Sequence, residues 1–318
     1  MRAVTAVVAL LVSAAVASAA ASDRSVRSPG AVLGLARSGF SVAFLSGPYQ
    51  GHCGPHVELW NLVSRGRYRL GRHTDVVCRE GPSTGSGVTD LAVAGNRVLW
   101  LSYAGGNNRD WQLWTATTTR PLERQLEFRE VDVDAAPPIV VGVGSEFVLP
   151  YSVGSVVKVL AADGHRRYTW QAPGRVTNTT AYQSRVAVFV AGGRCFVLSP
   201  SGAVQRTYTF PVGAVKEFAL SGVGLVVQLP GGKIEIRNGS SVRTFSIPAQ
   251  GRMLDYAEGI LLYKIGTAIR ARRLSTGKDV VLRHGTFGQL EHNGFSYAVG
   301  RRVYSVAMVN VQAALNAH

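Results

Sequence analysis

Acidic residues, cysteine and methionine are all scarce in this chain. Its 318 residues include 19 Asp+Glu, 3 Cys and 3 Met, and charged residues of both signs make up only 17%. Opposite charges at helical spacing are correspondingly few, which argues against a mainly helical fold. The chain also lacks the H-E-x-x-H pair of zinc proteases and the phosphate-binding loop of nucleotide hydrolases. These absences give no support to a helical bundle or to either of those enzyme classes.

Beyond its first residues, the chain has no apolar run long enough to cross a membrane. The apolar stretch Ala3–Val16 follows Arg2, and the small residues Ala17-Ser18-Ala19 and Ala19-Ala20-Ala21 fit a cleavage site. A bilayer span needs about 20 strongly apolar residues, and this stretch is mostly Ala and Val. We therefore expect residues 1–21 to be a signal peptide. The alternative of a transmembrane anchor is disfavoured, and the product should be secreted or periplasmic/extracellular.

Positive charge is abundant where negative charge is missing. The sequence has 34 Lys+Arg, a formal net charge of +15 and an isoelectric point near 10.3. Such a balance favours anionic partners such as surface polymers, acidic glycans, lipid head groups or nucleic acid. The alternative is an arginine-rich secreted surface with no specific polyanion partner. Because we expect export, nucleic acid is the least favoured partner.

A strand, a tight turn with glycine and a second strand recur through the second half of the chain. The copies are Val156–Trp170, Arg194–Phe210, Lys233–Ile247 and Ala268–Leu282. Their turn glycines, Gly164, Gly202, Gly239 and Gly277, are 38, 37 and 38 residues apart. A fixed period of this size, built from strands alone, indicates a radial or stacked repeat.

Each copy, which we call a turn phrase, belongs to a larger unit of four short strands in meander order. The first of them lies in a unit that begins at Ile139; looser units begin at Val32 and Thr89, and an incomplete unit begins at Phe287, which gives seven units in all. Their average of about 42 residues is typical of a propeller blade. The sequence therefore predicts one all-β domain over residues 23–310, a propeller of seven four-stranded blades with six as the alternative, followed by a C-terminal tail at 311–318.

The last unit lacks a fourth strand. Residues Asp23–Gly30 lie just before the first unit and could pair with Arg302–Met308, which would join the two ends of the chain in one blade. The alternative is a last blade of only three strands.

The turn phrase resembles that of the quinoprotein-dehydrogenase-like propellers, the PQQ-like repeat superfamily. The resemblance is clearest in Arg270–Leu282 and Val159–Trp170, and it covers roughly Ile139 to Met308. Arg273 stands where the family commonly has Asp. The superfamily includes non-enzymatic outer-membrane assembly factors as well as enzymes with a calcium-linked cofactor. This chain is short and acid-poor for such an enzyme, so the resemblance implies the non-enzymatic type, with no cofactor and no catalytic residue carried over.

Four long connections fall in the first two units, at Gly47–Pro55, Arg79–Gly87, Ala104–Asp110 and Glu130–Pro138. By strand parity, all four lie on the same face of a propeller. Loops longer than a connection needs often carry function. The candidate ligand-binding residues in this sector are Tyr49, His52, His56, Asn107, Asn108, Arg109, Asp110 and Trp111. Trp100 and Trp114 are expected in the core.

Two function classes remain open at this level. The favoured one is an exported, monomeric, non-catalytic propeller that binds a protein, a glycan or an anionic surface polymer, with no cofactor and no metal. The alternative is a secreted propeller enzyme: a hydrolase, a lyase or a quinoprotein-type oxidoreductase. Carboxylates or histidines converging at the central channel would favour the enzyme.

Two of the three cysteines are expected to form a disulfide. Cys53 and Cys78 lie in or beside the same-face loops, and export favours oxidation. The alternative is a metal site at Gly51–His56 with His73, although the spacing is not a standard zinc signature. Cys195 begins a predicted third strand and should be a buried free thiol.

We expect mass spectrometry of a non-reduced tryptic digest to find the Cys53 and Cys78 peptides linked. The bridge closes about 25 residues, which the chain-entropy model rates at about 3 kcal/mol. A crosslinked peptide that contains Cys195 would contradict this assignment.

Overall fold

The computed structural model describes residues 23–47, 56–71, 86–105 and 108–317, and it confirms a seven-bladed propeller. Seven four-stranded antiparallel sheets follow one another along the chain. The first strand of each blade contacts the first strands of its neighbours, so these strands line the central channel. No helix among the described residues is long and apolar enough to cross a membrane.

Blades 1 to 4 take their strands from the chain in order. Blade 1 contains β2 (Val32–Ser38), β3 (Ser41–Ser46), β4 (His56–Asn61) and β5 (Arg67–Leu70). Blade 2 contains β6 (Ser86–Ala94), β7 (Arg97–Gly105), β8 (Asn108–Thr117) and β9 (Arg124–Asp132). Blade 3 contains β10 (Ile139–Val141), β11 (Val148–Val153), β12 (Val156–Ala161) and β13 (Arg166–Gln171). Blade 4 contains β14 (Val176–Tyr182), β15 (Arg185–Val190), β16 (Arg194–Leu198) and β17 (Val204–Thr209).

Blades 5 to 7 follow, and one short helix comes after blade 7. Blade 5 contains β18 (Glu217–Ser221), β19 (Gly224–Gln228), β20 (Lys233–Asn238) and β21 (Ser241–Ser246). Blade 6 contains β22 (Arg252–Ala257), β23 (Ile260–Ile265), β24 (Ala268–Arg273) and β25 (Asp279–His284). Blade 7 contains β26 (Thr286–Glu291), β27 (Gly294–Val299), β28 (Arg302–Ala307) and, from the other end of the chain, β1 (Arg24–Arg27), and α1 (Met308–Ala317) follows it.

The hydrophobic pattern of each strand matches its place in the blade. Second strands are mostly apolar, and five of the six residues in β15 are buried because the neighbouring blades cover both faces. Fourth strands lie at the outer rim, and β17 buries only Tyr208. The repeated turns need a left-handed backbone, with φ of 92° at Gly164 and 88° at Gly202, which explains the periodic glycines.

The core consists of seven apolar clusters, and each fills the space between two adjacent blades. Trp100 and Trp114, expected in the core, lie at the interface of blades 1 and 2 with 1% and 8% exposure. Burial of a large apolar side chain is worth about 2 to 3 kcal/mol, so each interface stabilises the ring substantially.

The two ends of the chain meet in blade 7. Strand β1 pairs antiparallel with β28, with Arg24 opposite Ser305 and Arg27 opposite Arg302. The expected closing strand at Asp23–Gly30 is therefore confirmed. An ion pair between Asp23 and Arg283 ties the start of the closing strand to blade 6.

The segment expected to be a C-terminal tail is part of the core. Residues 311–317 belong to α1, and the side chains of Met308, Val311 and Leu315 are buried against blades 6 and 7. These apolar positions are spaced three and four residues apart, so they share one face of the helix. The helix thus covers apolar surface of blades 6 and 7.

Arg37, near the end of β2, joins blade 1 to blade 7 from inside the protein. The residue is 2% exposed, and Nη1 donates hydrogen bonds to Ser296 Oγ at 2.8 Å and Ser305 Oγ at 3.0 Å. Its Nη2 donates to Asn293 Oδ1 at 2.7 Å. Burial lowers the pKa of Arg37 to about 10, although nearby Glu291 acts in the opposite direction. The guanidinium therefore remains charged at neutral pH, with three neutral partners on the neighbouring blade.

We expect Arg37→Ala to lower the free energy of unfolding by about 3 kcal/mol, because it opens a cavity and leaves buried polar groups without partners. Chemical denaturation would measure the loss. Arg301→Ala removes an exposed charge from blade 7 and should change stability by less than about 0.5 kcal/mol. A loss below about 1 kcal/mol in Arg37→Ala would show that this contact does not hold the blades together.

Candidate functional site

The structure places part of the predicted ligand-binding sector. Tyr49, His52 and Asn107 lie outside the described residues, as do Cys53 and Cys78, so these predictions stay predictions. The other five candidates, namely His56, Asn108, Arg109, Asp110 and Trp111, lie in strands rather than loops.

The long connection expected at Ala104–Asp110 is instead an extension of two strands. Ladder pairs continue to Ala104 opposite Asp110 and Gly105 opposite Arg109. The strands of blade 2 are 9, 9, 10 and 9 residues long, whereas those of blade 5 are 5, 5, 6 and 6. The connection expected at Glu130–Pro138 likewise begins as strand, because β9 runs to Asp132. Extra length in this sector therefore produces a tall blade.

The tip of this blade brings three of the predicted residues together. Asn108 Nδ2 donates a hydrogen bond to Glu130 Oε1 at 2.8 Å, and Asp110 lies opposite Glu130 in the ladder. The Arg109 guanidinium lies 5.0 Å from the centroid of the Tyr103 ring, a cation–π distance. We call Tyr103, Asn108, Arg109, Asp110 and Glu130 the blade 2 tip. It presents an amide and charges of both signs on a hydrogen-bonded hairpin.

Trp111 is not part of an exposed binding surface, which corrects the expectation that its ring lies with the other candidates. The residue is 3% exposed and packs with Leu149 and Tyr151 between blades 2 and 3. Trp111 faces the same side of β8 as Arg109 but lies two residues further from the hairpin end, where blade 3 covers that side. The ring also contacts Tyr103, with centroids 5.4 Å apart.

His56 is also buried, with 3% exposure at the start of β4. Its Nδ1 lies 2.8 Å from Nη2 of Arg69 on β5. With this little exposure, His56 is not part of an exposed binding surface.

A second site, which sequence reasoning missed, lies where the central channel opens on the opposite face. A cavity of about 250 Å³ there is lined by Asp255, Glu258, Glu291 and His292, and by no Lys or Arg. His292 Nε2 lies 3.9 Å from Glu146 Oε1, and its Nδ1 lies 3.9 Å from Glu291 Oε2. We call this group the channel mouth. The parity argument used for the loops could have found it, since Glu146, Glu258, Glu291 and His292 all lie at first-to-second strand turns.

Two groups of the channel mouth have shifted pKa values. Asp255 Oδ1 accepts a hydrogen bond from the Tyr256 N–H, and Oδ2 accepts one from the Leu290 N–H, both at 2.8 Å. Burial nevertheless raises the pKa of Asp255 to about 7. The neighbouring Glu291 carboxylate raises the pKa of His292. Asp255 thus links the inner strands of blades 6 and 7 and also titrates near neutrality.

The described part of the chain gives little support for a metal site or for a catalytic nucleophile. No three His, Cys, Asp or Glu side chains there are arranged to hold a metal ion. The pentapeptide Gly81–Gly85 has the G-x-S-x-G spacing of a hydrolase nucleophile turn. In hydrolases that turn leads into a helix, whereas here the next described element is strand β6. The five residues themselves lie outside the described part of the chain.

The prediction for Cys195 is confirmed. Its thiol is free and fully buried on β16, and burial raises its pKa. A protonated thiol without access to solvent is chemically inert, so Cys195 is a packing residue.

We expect Asp255 to make stability depend on pH. Its pKa is raised from 3.8 to about 7, so the folded protein retains a proton that the unfolded chain loses. The contribution of this group to stability therefore falls as pH rises between about 4 and 7. Relative to Asp255→Asn, the wild-type melting temperature should fall between about pH 5 and pH 8. A constant difference across that range would show that Asp255 does not titrate there.

Comparison with known proteins supports the fold and goes no further. No protein-family model matches the chain, and no curated protein matches it. A chain in the crystal structure of the mitotic checkpoint complex is 13% identical, with a TM-score of 0.55 over 89% of this chain and 91% of that one. Sqt1 of Saccharomyces cerevisiae is 10% identical, with a TM-score of 0.48 over 90% and 97% of the two chains. The computationally designed Ika8 protein is 12% identical, with a TM-score of 0.46 over 88% and 97%. At these identities the similarity is one of fold alone: the chain is a seven-bladed β-propeller.

Proposed function

We propose that this protein is an exported, non-catalytic propeller that binds a protein, a glycan or a surface polymer through the blade 2 tip and the adjoining connections of blade 1. The observation that carries the proposal is the elongation of blade 2. Its hairpin extends the ladder to Gly105 and Arg109, beyond what a blade needs to fill its place in the ring. The propeller fold itself is compatible with protein binding.

The blade 2 tip suits recognition because its polar groups are already ordered. Asn108 is bonded to Glu130, and Arg109 lies over Tyr103, so little side-chain entropy remains to be lost on binding. An amide, a guanidinium and carboxylates side by side can donate to and accept from sugar hydroxyls or a peptide backbone. The predicted Cys53–Cys78 disulfide would stiffen the adjoining connections of blade 1.

The finer features of the proposal depend on the sequence. A signal peptide at residues 1–21 supports export to a secreted or periplasmic/extracellular location. The turn phrases support a relation to the non-enzymatic quinoprotein-dehydrogenase-like propellers, without a cofactor. We place the propeller domain at 23–310 and treat the protein as a monomer.

A secreted enzyme is the second candidate, because carboxylates and a histidine converge at the channel mouth. The raised pKa of Asp255, about 7, is one that a general acid or base would have. Binding is the better supported function because both Asp255 oxygens already accept main-chain hydrogen bonds, one from Tyr256 on its own strand and one from Leu290 on the inner strand of blade 7. The bond from Leu290 gives the carboxylate a structural role in holding blades 6 and 7 together.

The proposal is tested with an array of glycans and peptides, followed by calorimetry on the tightest binder. Arg109→Ala should weaken that binder by more than about 1 kcal/mol, or about fivefold, the threshold for an anchoring residue. Arg243→Ala removes the same charge from the exposed outer strand of blade 5 and should leave affinity unchanged. Trp111→Ala is unsuitable, because loss of a buried Trp costs about 3 to 5 kcal/mol of stability.

Two results would contradict the proposal. Equal affinity in Arg109→Ala and wild type would place the site away from the blade 2 tip. Turnover of a glycan, ester or peptide that persists in Arg109→Ala and disappears in Asp255→Asn would replace the binding function with catalysis at the channel mouth.

A further inference from the structure

A groove with a strong positive charge lies between blades 2 and 3, on the face opposite the blade 2 tip. It has a volume of about 680 Å³ and is formed by the turns β6–β7, β8–β9 and β12–β13. We call it the arginine groove. Its charged lining residues are Arg97, Arg120, Arg124 and Asp163, and His165 also lines it.

Arg97 forms the inner wall and is held rigidly. Its Nε donates to the Ala162 carbonyl at 3.1 Å, and Nη2 donates to the Asp163 carbonyl at 2.8 Å. Nη1 donates to Thr115 Oγ1 at 3.2 Å. These acceptors are all neutral, so Arg97 joins blade 2 to blade 3 while its positive charge stays uncompensated by a direct ion pair.

The three arginines are close enough to repel one another. The pKa of Arg97 is lowered first by burial and then by the charges of Arg124 and Arg120, with Asp163 acting in the opposite direction. Like charges held together in a folded protein reduce its stability unless a counter-charge is present. An anion bound among them would supply that counter-charge.

Arg120 and Arg124 have no ion-pair partner among the described side chains. Both are exposed. The nearby carboxylates have other roles: Glu127 pairs with Lys158, Glu123 lies beside Gly71 of blade 1, and Asp163 Oδ1 accepts the His165 N–H at 2.9 Å. The two guanidinium groups are therefore available to an external anion.

The groove is built for more than a single small ion. Its volume is in the range that encloses a drug-sized ligand and is many times that of one sulfate. Thr117 and Thr119 line it as well, and their hydroxyl oxygens lie 3.1 Å apart. Thr117 Oγ1 also accepts the Arg120 N–H at 3.0 Å, which fixes the turn that carries Arg120. Hydroxyls between guanidinium groups match a chain of sugars that bear anionic substituents.

We infer that the arginine groove binds a segment of an anionic polysaccharide, with Arg120 and Arg124 pairing with its sulfate, phosphate or carboxylate groups and Arg97 forming the charged wall. Guanidinium groups form paired hydrogen bonds with such oxyanions, which makes arginine well suited to this task. The site is separate from the blade 2 tip and does not depend on the function proposed for it. Both sites could be occupied at once, since they lie on opposite faces.

The test uses three hexasaccharides, namely a sulfated one, an oligogalacturonate and a neutral maltohexaose, together with inorganic sulfate. Calorimetry at fixed salt compares wild type with the double variant Arg120→Ser/Arg124→Ser. The matched control, Arg243→Ser/Arg301→Ser, removes two exposed arginines from blades 5 and 7. All of these positions are on the surface, so the variants should remain folded, and circular dichroism checks that they do.

We expect wild type to bind at least one anionic hexasaccharide and to ignore maltohexaose. The groove variant should lose about tenfold or more in affinity, with the control within about twofold of wild type. Arg109→Ala should keep full affinity, which separates this site from the blade 2 tip. No binding of either anionic sugar, equal losses in groove and control variants, or inorganic sulfate binding as tightly as the hexasaccharide would each overturn the assignment.

Discussion

Every blade of this protein is apolar on both faces, and that single constraint shapes the whole molecule. A sheet with two apolar faces must be covered on both, so each blade needs two neighbours, and only a closed ring gives two neighbours to all of them. The seven interface clusters are the result. Where the first and last blades meet, β1 and the buried guanidinium of Arg37 complete the ring. The loops and turns can vary because this frame does not depend on them.

The inner strands pose a separate problem, since strands of neighbouring blades splay too far apart for a continuous ladder. Blades 3 and 4 share a short main-chain bridge between Val143 and Thr180, and side chains bond to the inner strands at other junctions. Gln228 Oε1 accepts the Met253 N–H at 2.7 Å, and its Nε2 donates to the Gly251 carbonyl at 2.6 Å, which connects blade 5 to blade 6. Asp255 connects blade 6 to blade 7 through Leu290. Gln289 connects blade 7 to blade 1, because its Oε1 accepts the Arg37 N–H. The titratable Asp255 is one member of this series, which explains its place in the channel.

The repeat made the fold predictable, because Gly164, Gly202, Gly239 and Gly277 mark the same left-handed turn in successive blades. Strand parity also predicted that Ala104–Asp110 and the start of Glu130–Pro138 share one face, where Asn108 bonds to Glu130. It could not distinguish a long loop from a longer hairpin, because Ala104–Asp110 has turn-forming residues in either case. Trp111 was expected beside an exposed loop, whereas it lies on a strand between two blades, and so its burial was missed. The C-terminal helix was missed because its apolar face becomes evident only beside blades 6 and 7. The channel mouth and the arginine groove combine turns from several blades, which no local pattern displays.

Closure of blade 7 by strands from both ends of the chain has a consequence for how the protein comes to be folded. The partners β1 and β28 are about 280 residues apart, so their pairing is among the longest-range contacts a chain of this size can make. Contacts of such long range form slowly, after local hairpins. Blades 2 to 6 can assemble as an open arc while the chain is still being made, but its two outer faces stay uncovered until the last strand arrives. Before that moment the arc is prone to associate with other unfinished chains, and completion of the ring, rather than formation of any blade, ends the risk.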